Sequence, residues 1–258
     1  MLHGIRSHAG WYEASAERLC DIGFSVLQVD RRGAGRNRRA RGHADWPFRL
    51  LNDVHRAVEW LRRRTGFPQV HLVGISWGGR LAAAYYVSRP QTVSRLFLVT
   101  PGLFPSVDVE FSKKCAITAA LLSYRRFRFD IPLNDAEFFT TLPDPLRFIE
   151  DDPHQLLRTT AGFFLTSAMI SLKARKLLRA PPVPLYLYLA ALDPIIDNER
   201  TKRFVRSLRW PTCTVTTYAR SKHTLELDAD RDVYLDDLAA HFEEGIPAKD
   251  RNSLAATG

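Results

Sequence analysis

Stretches with apolar residues at helical spacing alternate along this chain with short, nearly continuous apolar runs. The helical stretches are residues 11–23, 46–64, 77–88, 199–208 and 230–244. The apolar runs, which predict buried strands, are residues 24–30, 69–74, 94–102, 183–191 and 212–218. Because such alternation is typical of a parallel sheet with helices on both faces, we predict an α/β fold.

The alternation stops between residues 103 and 182. That segment has helical apolar stretches, proline-containing turns such as IPLND and TLPDP, and no clean strand. We therefore predict a helical insertion at 103–182, within a core formed by residues 1–102 and 183–245. Residues 246–258 predict a disordered tail. A chain of 258 residues is long enough to bury one full core.

The segment HLVGISWGG (71–79) holds a G-x-S-x-G pattern between a predicted strand and a predicted helix. In that context the pattern indicates a nucleophile elbow, a strained turn that exposes the serine hydroxyl. Side chains at Gly74 or Gly78 would collide with the neighbouring strand or helix. We predict that Ser76 is a nucleophile.

A serine hydroxyl needs a base, and the base needs an orienting group. In this kind of fold the chain order is serine, acid, histidine. Asp193 follows the run at 183–191, and His223 follows the run at 212–218. Since both positions fall at the carboxyl edge of the sheet, we predict Asp193 as the acid and His223 as the base.

Other acidic residues and histidines compete for these roles. Asp197, one turn beyond Asp193, favours a cap for the next helix. Asp228 and Asp230 follow His223 closely and favour caps for the last helix. The remaining histidines on helical stripes, His55 and His241, favour structural or surface positions.

A tetrahedral intermediate also needs two backbone donors. The N–H of Trp77, which follows the serine, is the first candidate. The pair His3-Gly4 near the start of the chain makes the N–H of Ile5 the second candidate. A plain turn at His3-Gly4 is the simpler alternative, but the elbow and the residue order favour an oxyanion loop.

The net charge is +9, and arginines cluster at 30–43 and 61–66. Nucleic-acid binding is one interpretation, but no nucleic-acid motif is present and no aromatic residues are interleaved with the arginines. We therefore expect a solvated basic surface and no nucleic-acid partner. Attraction to anionic lipid surfaces or acidic substrates is a milder interpretation.

Cys20, Cys115 and Cys213 are widely spaced and form no CxxC pair, which argues against a disulfide framework and against a metal site. No apolar run is long enough to cross a bilayer. The N-terminus carries no signal-peptide pattern. Together these features lead us to expect a cytoplasmic protein.

Five segments carry a family resemblance: HGIRSH (3–8), DRRGAGRN (30–37), GISWGG (74–79), LDPIIDN (192–198) and SKHTLE (221–226). On these segments the chain resembles the α/β-hydrolase superfamily, and within it the monoacylglycerol lipase and lysophospholipase branch of the serine aminopeptidase S33 type. Residues 131–153 resemble the cap of that branch. The resemblance implies a hydrolase core, a helical cap over the site, no cofactor, and hydrolysis of an acyl ester. It supports the roles of Ser76, Asp193, His223, Ile5 and Trp77.

Two features depart from the pattern of the branch. Arg6 replaces the second glycine of HGxGxH, and we expect this cation to alter access to the oxyanion loop or to favour an anionic substrate group. The strands that should precede His3 are also missing, which predicts a gap in the sheet and a truncated start. Direct pairing of 24–30 with 69–74 is the alternative.

The sequence thus favours a serine esterase acting on monoacylglycerol-like or lysophospholipid-like lipids. The apolar helices of the insertion would line an acyl pocket and allow a weak contact with a membrane surface. A thioesterase, acyltransferase or peptidase with the same triad stays open, as does a non-catalytic scaffold.

Overall fold

The computed structural model describes residues 1–244, and the predicted tail at 246–258 lies outside them. The strands are β1 (Val70–Ile75), β2 (Val93–Val99), β3 (Arg128–Asp130), β4 (Arg158–Thr160), β5 (Leu185–Ala190) and β6 (Cys213–Tyr218). The α-helices are α1 (Glu13–Asp21), α2 (Pro47–Thr65), α3 (Trp77–Ser88), α4 (Phe111–Ser123), α5 (Pro143–Asp151), α6 (Ala161–Ala174), α7 (Asn198–Ser207) and α8 (Arg231–Glu243). Every predicted helix outside the insertion is confirmed, as are the strands at β1, β2, β5 and β6.

The main sheet has four parallel strands in the order β1-β2-β5-β6. Alternate side chains along a strand point to opposite faces. On one face, Leu96 and Leu187 pack into a core shared with α2, α3 and α6. On the other face, Phe97 and Tyr186 pack into a core shared with α1 and α8. Helices therefore cover both faces of a parallel sheet, which confirms the predicted α/β fold.

The predicted strand at 24–30 is wrong. Only Val29 makes a bridge, to Leu2, and the segment is at most half-buried. Leu2 also bridges Gly74 of β1, so it lies between the 24–30 segment and the sheet. The two segments do not pair directly. A strand needs hydrogen-bond partners along its length. Within residues 1–244 the backbone contacts on this side of the segment are the Leu2–Val29 bridge and the Met1 nitrogen, which donates to the Leu27 carbonyl at 2.7 Å.

The segment 103–182 is mainly helical, but it also contains β3 and β4. These strands pair antiparallel, with Arg128 opposite Thr160, so the expectation of no strand there is wrong. Three-residue strands are too short to show an alternating pattern. The Thr160 hydroxyl then caps α6 by accepting from the N–H of Phe163 at 3.2 Å. The division into core and cap stays a prediction. Within residues 1–244, no helix combines the length and apolarity needed to cross a membrane.

A buried carboxyl group joins the first and last helices. Glu226 is 3% exposed and accepts from the N–H of Ser15 at 2.8 Å and from its hydroxyl. The Tyr234 hydroxyl lies 3.4 Å from the same serine oxygen. Burial raises the pKa of Glu226 to about 7, well above its ordinary value.

The raised pKa makes the stability of the fold depend on pH. Between the ordinary value of 4.5 and about 7, the unfolded chain loses this proton while the folded chain keeps it. The stabilisation is therefore full below pH 4.5 and lost as the pH rises to about 7, by roughly 3 kcal/mol at 1.36 kcal/mol per pKa unit. In urea unfolding across this range, Glu226→Gln should lack that decline. The same decline in both proteins would contradict the assignment.

Candidate active site

Ser76 occupies a strained turn between β1 and α3. Its φ of 53° and ψ of −121° lie in a region that non-glycine residues rarely adopt. The turn is tied to the end of β2, because the N–H of Ser76 donates to the Val99 carbonyl at 2.9 Å. The Ser76 carbonyl accepts from Gly102 at 2.7 Å. The sequence predicted this strand–turn–helix arrangement.

Close backbone packing explains the glycines around Ser76. A Cβ on Gly74 would lie 2.6 Å from the Cβ of Ala82 and 2.7 Å from the Gly78 carbonyl oxygen. A Cβ on Gly78 would lie 2.1 Å from the carbonyl oxygen of Leu2. Sequence reasoning missed Gly79, where a Cβ would lie 2.7 Å from the side chain of Pro101. The elbow therefore requires glycine at these three positions, because any Cβ there would overlap neighbouring atoms.

The structure brings Ser76, His223 and Asp193 together in one chain of hydrogen bonds. His223 Nε2 lies 2.7 Å from Ser76 Oγ, and His223 Nδ1 lies 2.8 Å from Asp193 Oδ2. The side chains of His223 and Asp193 are 2% and 0% exposed. The other carboxylate oxygen accepts from the N–H groups of Ile195 at 2.8 Å and Ile196 at 3.2 Å.

These partners assign the protons on the imidazole ring. An ionised carboxylate only accepts hydrogen bonds, so the Nδ1 of His223 carries the hydrogen that Asp193 receives. Nε2 is then the acceptor and faces the Ser76 hydroxyl. A nucleophile, a base and a group that orients the base are the parts that nucleophilic catalysis requires.

Several contacts that hold His223 were not predicted. The Thr100 hydroxyl donates to the His223 carbonyl at 3.0 Å, and the ring of Phe139 packs edge-on at 5.9 Å. Asp228 accepts from the N–H of Lys222 at 2.6 Å. The contacts with Thr100 and Phe139 join distant parts of the chain and leave no local pattern in the sequence that could have found them.

The competing acids are placed differently from one another. Asp197 caps α7 as predicted, by accepting from the N–H of Arg200 at 2.8 Å. Asp228 and Asp230 were expected to cap the last helix, and this is wrong. Asp230 precedes α8 but makes no cap bond; it accepts from the Ser221 hydroxyl at 3.0 Å. Because Ser221 and Lys222 precede His223, both acids hold the histidine loop instead.

The two other histidines on helical stripes have structural partners. His55 Nδ1 lies 3.3 Å from the hydroxyl of Tyr85. His241 Nδ1 lies 2.8 Å from the hydroxyl of Tyr188. Both histidines therefore pair with buried tyrosines, as the structural interpretation of the helical stripes predicted.

The His3-Gly4 segment lies against Ser76. A Cβ on Gly4 would be 3.2 Å from the Cβ of Ser76. His3 Nδ1 bonds the Gly4 carbonyl at 2.8 Å, and burial, helped by the charge of Arg31, lowers the pKa of His3 to about 3. No acceptor within residues 1–244 engages the N–H of Ile5 or of Trp77. Both donors are thus available beside the serine.

Arg6, which replaces the second glycine of the HGxGxH pattern, contacts the 103–182 segment. It is 3% exposed, and its guanidinium donates to Gln155 at 2.7 Å and to the Leu133 carbonyl at 2.8 Å. It also lies over the ring of Phe139, 5.2 Å from the centroid. Both acceptors belong to the 103–182 segment, so Arg6 ties the loop that begins at His3-Gly4 to that segment.

A strained serine elbow with a buried His–Asp pair, at the carboxyl edge of a parallel sheet, is the arrangement of an α/β-hydrolase fold. The family described as serine aminopeptidase, S33, matches residues 1–230, so the chain belongs to that family of hydrolases.

Solved structures share this fold at low sequence identity. A monoacylglycerol lipase of Paleococcus ferrophilus superposes with a TM-score of 0.82 at 20% identity, covering 93% of each chain. A soluble variant of monoglyceride lipase from Saccharomyces cerevisiae, in complex with a substrate analog, gives 0.79 at 19% identity, covering 94% of this chain and 84% of its own.

Curated relatives match a shorter segment. The Sus scrofa protein named 1-acylglycerol-3-phosphate O-acyltransferase ABHD5 is 35% identical over 105 residues, which is 41% of this chain and 30% of that protein. The abhydrolase domain-containing protein abhd-5.2 of Caenorhabditis elegans is 29% identical over 114 residues, 44% of this chain and 25% of its own. The match therefore spans less than a third of either relative.

Proposed function

We propose that this protein is a carboxylic ester hydrolase that cleaves monoacylglycerol-like or lysophospholipid-like lipids through an acyl-enzyme on Ser76. The observation that carries the proposal is the hydrogen-bonded chain from Ser76 through His223 to Asp193, at 2.7 and 2.8 Å. Its burial keeps water from competing for these bonds.

The first half of the reaction forms the acyl-enzyme. His223 Nε2 takes the proton of the Ser76 hydroxyl as the oxygen attacks the ester carbonyl. Asp193 stabilises the imidazolium that results. The negative charge on the former carbonyl oxygen is held by the N–H groups of Ile5 and Trp77, and the start of α3 adds its positive dipole end.

The second half releases the acid. The tetrahedral intermediate collapses, the carbon–oxygen bond to the alcohol breaks, and His223 returns its proton to the leaving alcohol. A water molecule then gives a proton to His223 and attacks the acyl carbon. As that second intermediate collapses, the bond between Ser76 Oγ and the acyl carbon breaks, the carboxylic acid is freed, and His223 returns its proton to Ser76 Oγ.

A lipid substrate is supported by two of the structural neighbours, one named as a monoacylglycerol lipase and the other as a monoglyceride lipase. The 103–182 segment also exposes large apolar side chains, with Phe111 at 80% and Leu122 at 88%. We propose that this segment is the cap and that α4 makes a weak contact with lipid surfaces.

Labelling with a fluorophosphonate probe tests the nucleophile. The intact mass of the parent should gain one adduct, and Ser76→Ala should gain none. Ser88→Ala is a matched control, because its hydroxyl donates to the Ala84 carbonyl at the other end of α3. A p-nitrophenyl ester series would then size the acyl pocket. An adduct that persists in Ser76→Ala would contradict the proposal.

Acyl transfer is a second candidate, favoured by the 35% identity to the relative named as an acyltransferase. The same acyl-enzyme would be resolved by an alcohol acceptor in place of water. Incubation of a monoacylglycerol with 1-acylglycerol-3-phosphate separates the two outcomes by mass spectrometry. Free fatty acid alone supports hydrolysis, whereas a diacylated phosphate product supports transfer.

A further inference from the structure

The guanidinium of Arg31 is buried beside both proposed oxyanion donors. Arg31 is 7% exposed, and its Nη2 donates to the Ile5 carbonyl and, at 3.4 Å, to the Gly4 carbonyl. The guanidinium carbon lies 5.0 Å from the ring centroid of Trp77 and 5.3 Å from that of Phe163. One side chain therefore contacts the two residues whose N–H groups would hold the oxyanion.

The contact with Gly4 bears directly on the N–H of Ile5. The Gly4 carbonyl and the Ile5 N–H belong to one peptide unit, and residues 1–244 contain no cis peptide bond. In a trans peptide the carbonyl and the N–H point in opposite directions within one plane. A Gly4 carbonyl held in one orientation therefore holds the Ile5 N–H in the opposite direction. Two donors hold the Gly4 carbonyl: Arg31 Nη2, and His3 Nδ1 at 2.8 Å.

The backbone of Arg31 also sets the state of His3. The Arg31 N–H donates to His3 Nε2 at 3.1 Å, so Nε2 carries no hydrogen. The hydrogen of the neutral ring is then on Nδ1, where it serves the Gly4 carbonyl. Arg31 consequently orients the Gly4–Ile5 peptide in two ways. Its side chain bonds the Gly4 carbonyl directly, and its backbone N–H sets the tautomer of His3, which bonds the same carbonyl.

The charge of Arg31 makes no salt bridge within residues 1–244, and attraction to Asp30 only partly offsets its burial. No carboxylate within residues 1–244 lies within 4.0 Å of it, and its Nε and Nη1 make no hydrogen bond there. Burial lowers the pKa of Arg31 to about 9, which leaves it charged at neutral pH. A buried, unpaired cation costs folding free energy. The same charge, in a medium of low polarity, favours negative charge forming nearby.

We propose that Arg31 is a positioning residue for the oxyanion hole: it orients the Gly4–Ile5 peptide, stacks on Trp77, and adds a positive field where the oxyanion forms. This inference rests on the proposed function of Ser76. It predicts a loss in the chemical step and little change in substrate binding, because the ground-state ester carries no full charge.

The test compares the parent with Arg31→Met, Arg31→Lys and the control Arg32→Met, whose arginine pairs with Asp53 at a side-chain exposure of 36%. For p-nitrophenyl butyrate, Arg31→Met should lower kcat by about 30-fold, below the roughly 10²–10³-fold cost of losing a whole oxyanion donor. KM should change by less than about threefold. The affinity of a boronic acid, which forms a tetrahedral adduct on serine, should fall as kcat does, while that of an uncharged ether analogue of the ester stays constant.

Arg31→Lys keeps the charge but not the planar fork, so its kcat should fall between those of the parent and Arg31→Met. Arg32→Met should match the parent. A kcat for Arg31→Met within about twofold of the parent, or an equal loss of affinity for the boronate and the uncharged ether analogue, overturns the inference. If Arg31→Met does not fold, Arg31→Lys decides: an unchanged kcat overturns it. A parent that neither hydrolyses esters nor labels at Ser76 overturns the proposed function itself.

Discussion

Asp193→Asn is expected to lower kcat for ester hydrolysis by about 10⁴-fold while the fold stays intact. Asp193 accepts from His223 Nδ1 at 2.8 Å and, through its other oxygen, from two backbone N–H groups. An asparagine keeps the backbone bonds with its single oxygen, but then turns its NH₂ group toward His223. The imidazole must accept at Nδ1 and carry its hydrogen on Nε2. That hydrogen faces Ser76, so the ring no longer takes the serine proton.

The prediction is checked by kcat for a p-nitrophenyl ester, with thermal unfolding measured on the same protein. Asp197→Asn is the matched control, because Asp197 caps α7 and asparagine caps helices equally well. Its kcat should equal that of the parent. If Asp193→Asn lost less than about tenfold, Asp193 would not be the group that orients His223.

The proposed triad was predictable because each member has a local signature. Ser76 lies in a G-x-S-x-G pattern, and Asp193 and His223 follow the apolar runs that became β5 and β6. Strand order then brings the ends of those runs to one edge of the sheet. Local pattern and topology together were sufficient to place the three side chains within hydrogen-bond distance.

Features that depend on long-range partners were not predictable. The run at 24–30 has the composition of a strand, but a strand also needs a hydrogen-bond partner, and composition does not show whether one is present. Arg6 follows the glycine of the oxyanion loop in sequence, but its guanidinium is used by Leu133 and Gln155 far along the chain. The sequence shows which residue is present, and distant contacts decide what that residue does.

Gly78 is where the elbow and the start of the chain meet, and Gly78→Ala is expected to damage both stability and activity. The added Cβ would lie 2.1 Å from the Leu2 carbonyl oxygen and 2.6 Å from that of His3. These are backbone atoms, and Leu2 is held to β1 by bonds of 2.8 and 2.9 Å to Val73 and Ile75. Relief of the clash therefore requires the His3–Ile5 loop to move away from Ser76.

We expect Gly78→Ala to lose about 3 kcal/mol of unfolding free energy, the upper part of the range for overpacking. For a chain of this size that lowers Tm by roughly 10 °C. Gly66→Ala is the matched control: Gly66 has a φ of 76° but nothing within 4 Å of its added Cβ. It should cost only about 1 kcal/mol, from backbone strain, and leave kcat unchanged. Gly78 has no positive φ, so any loss of stability in Gly78→Ala must come from the steric clash with Leu2 and His3. A loss no larger than that of Gly66→Ala would show that these residues do not contact Gly78 as closely as the structure describes.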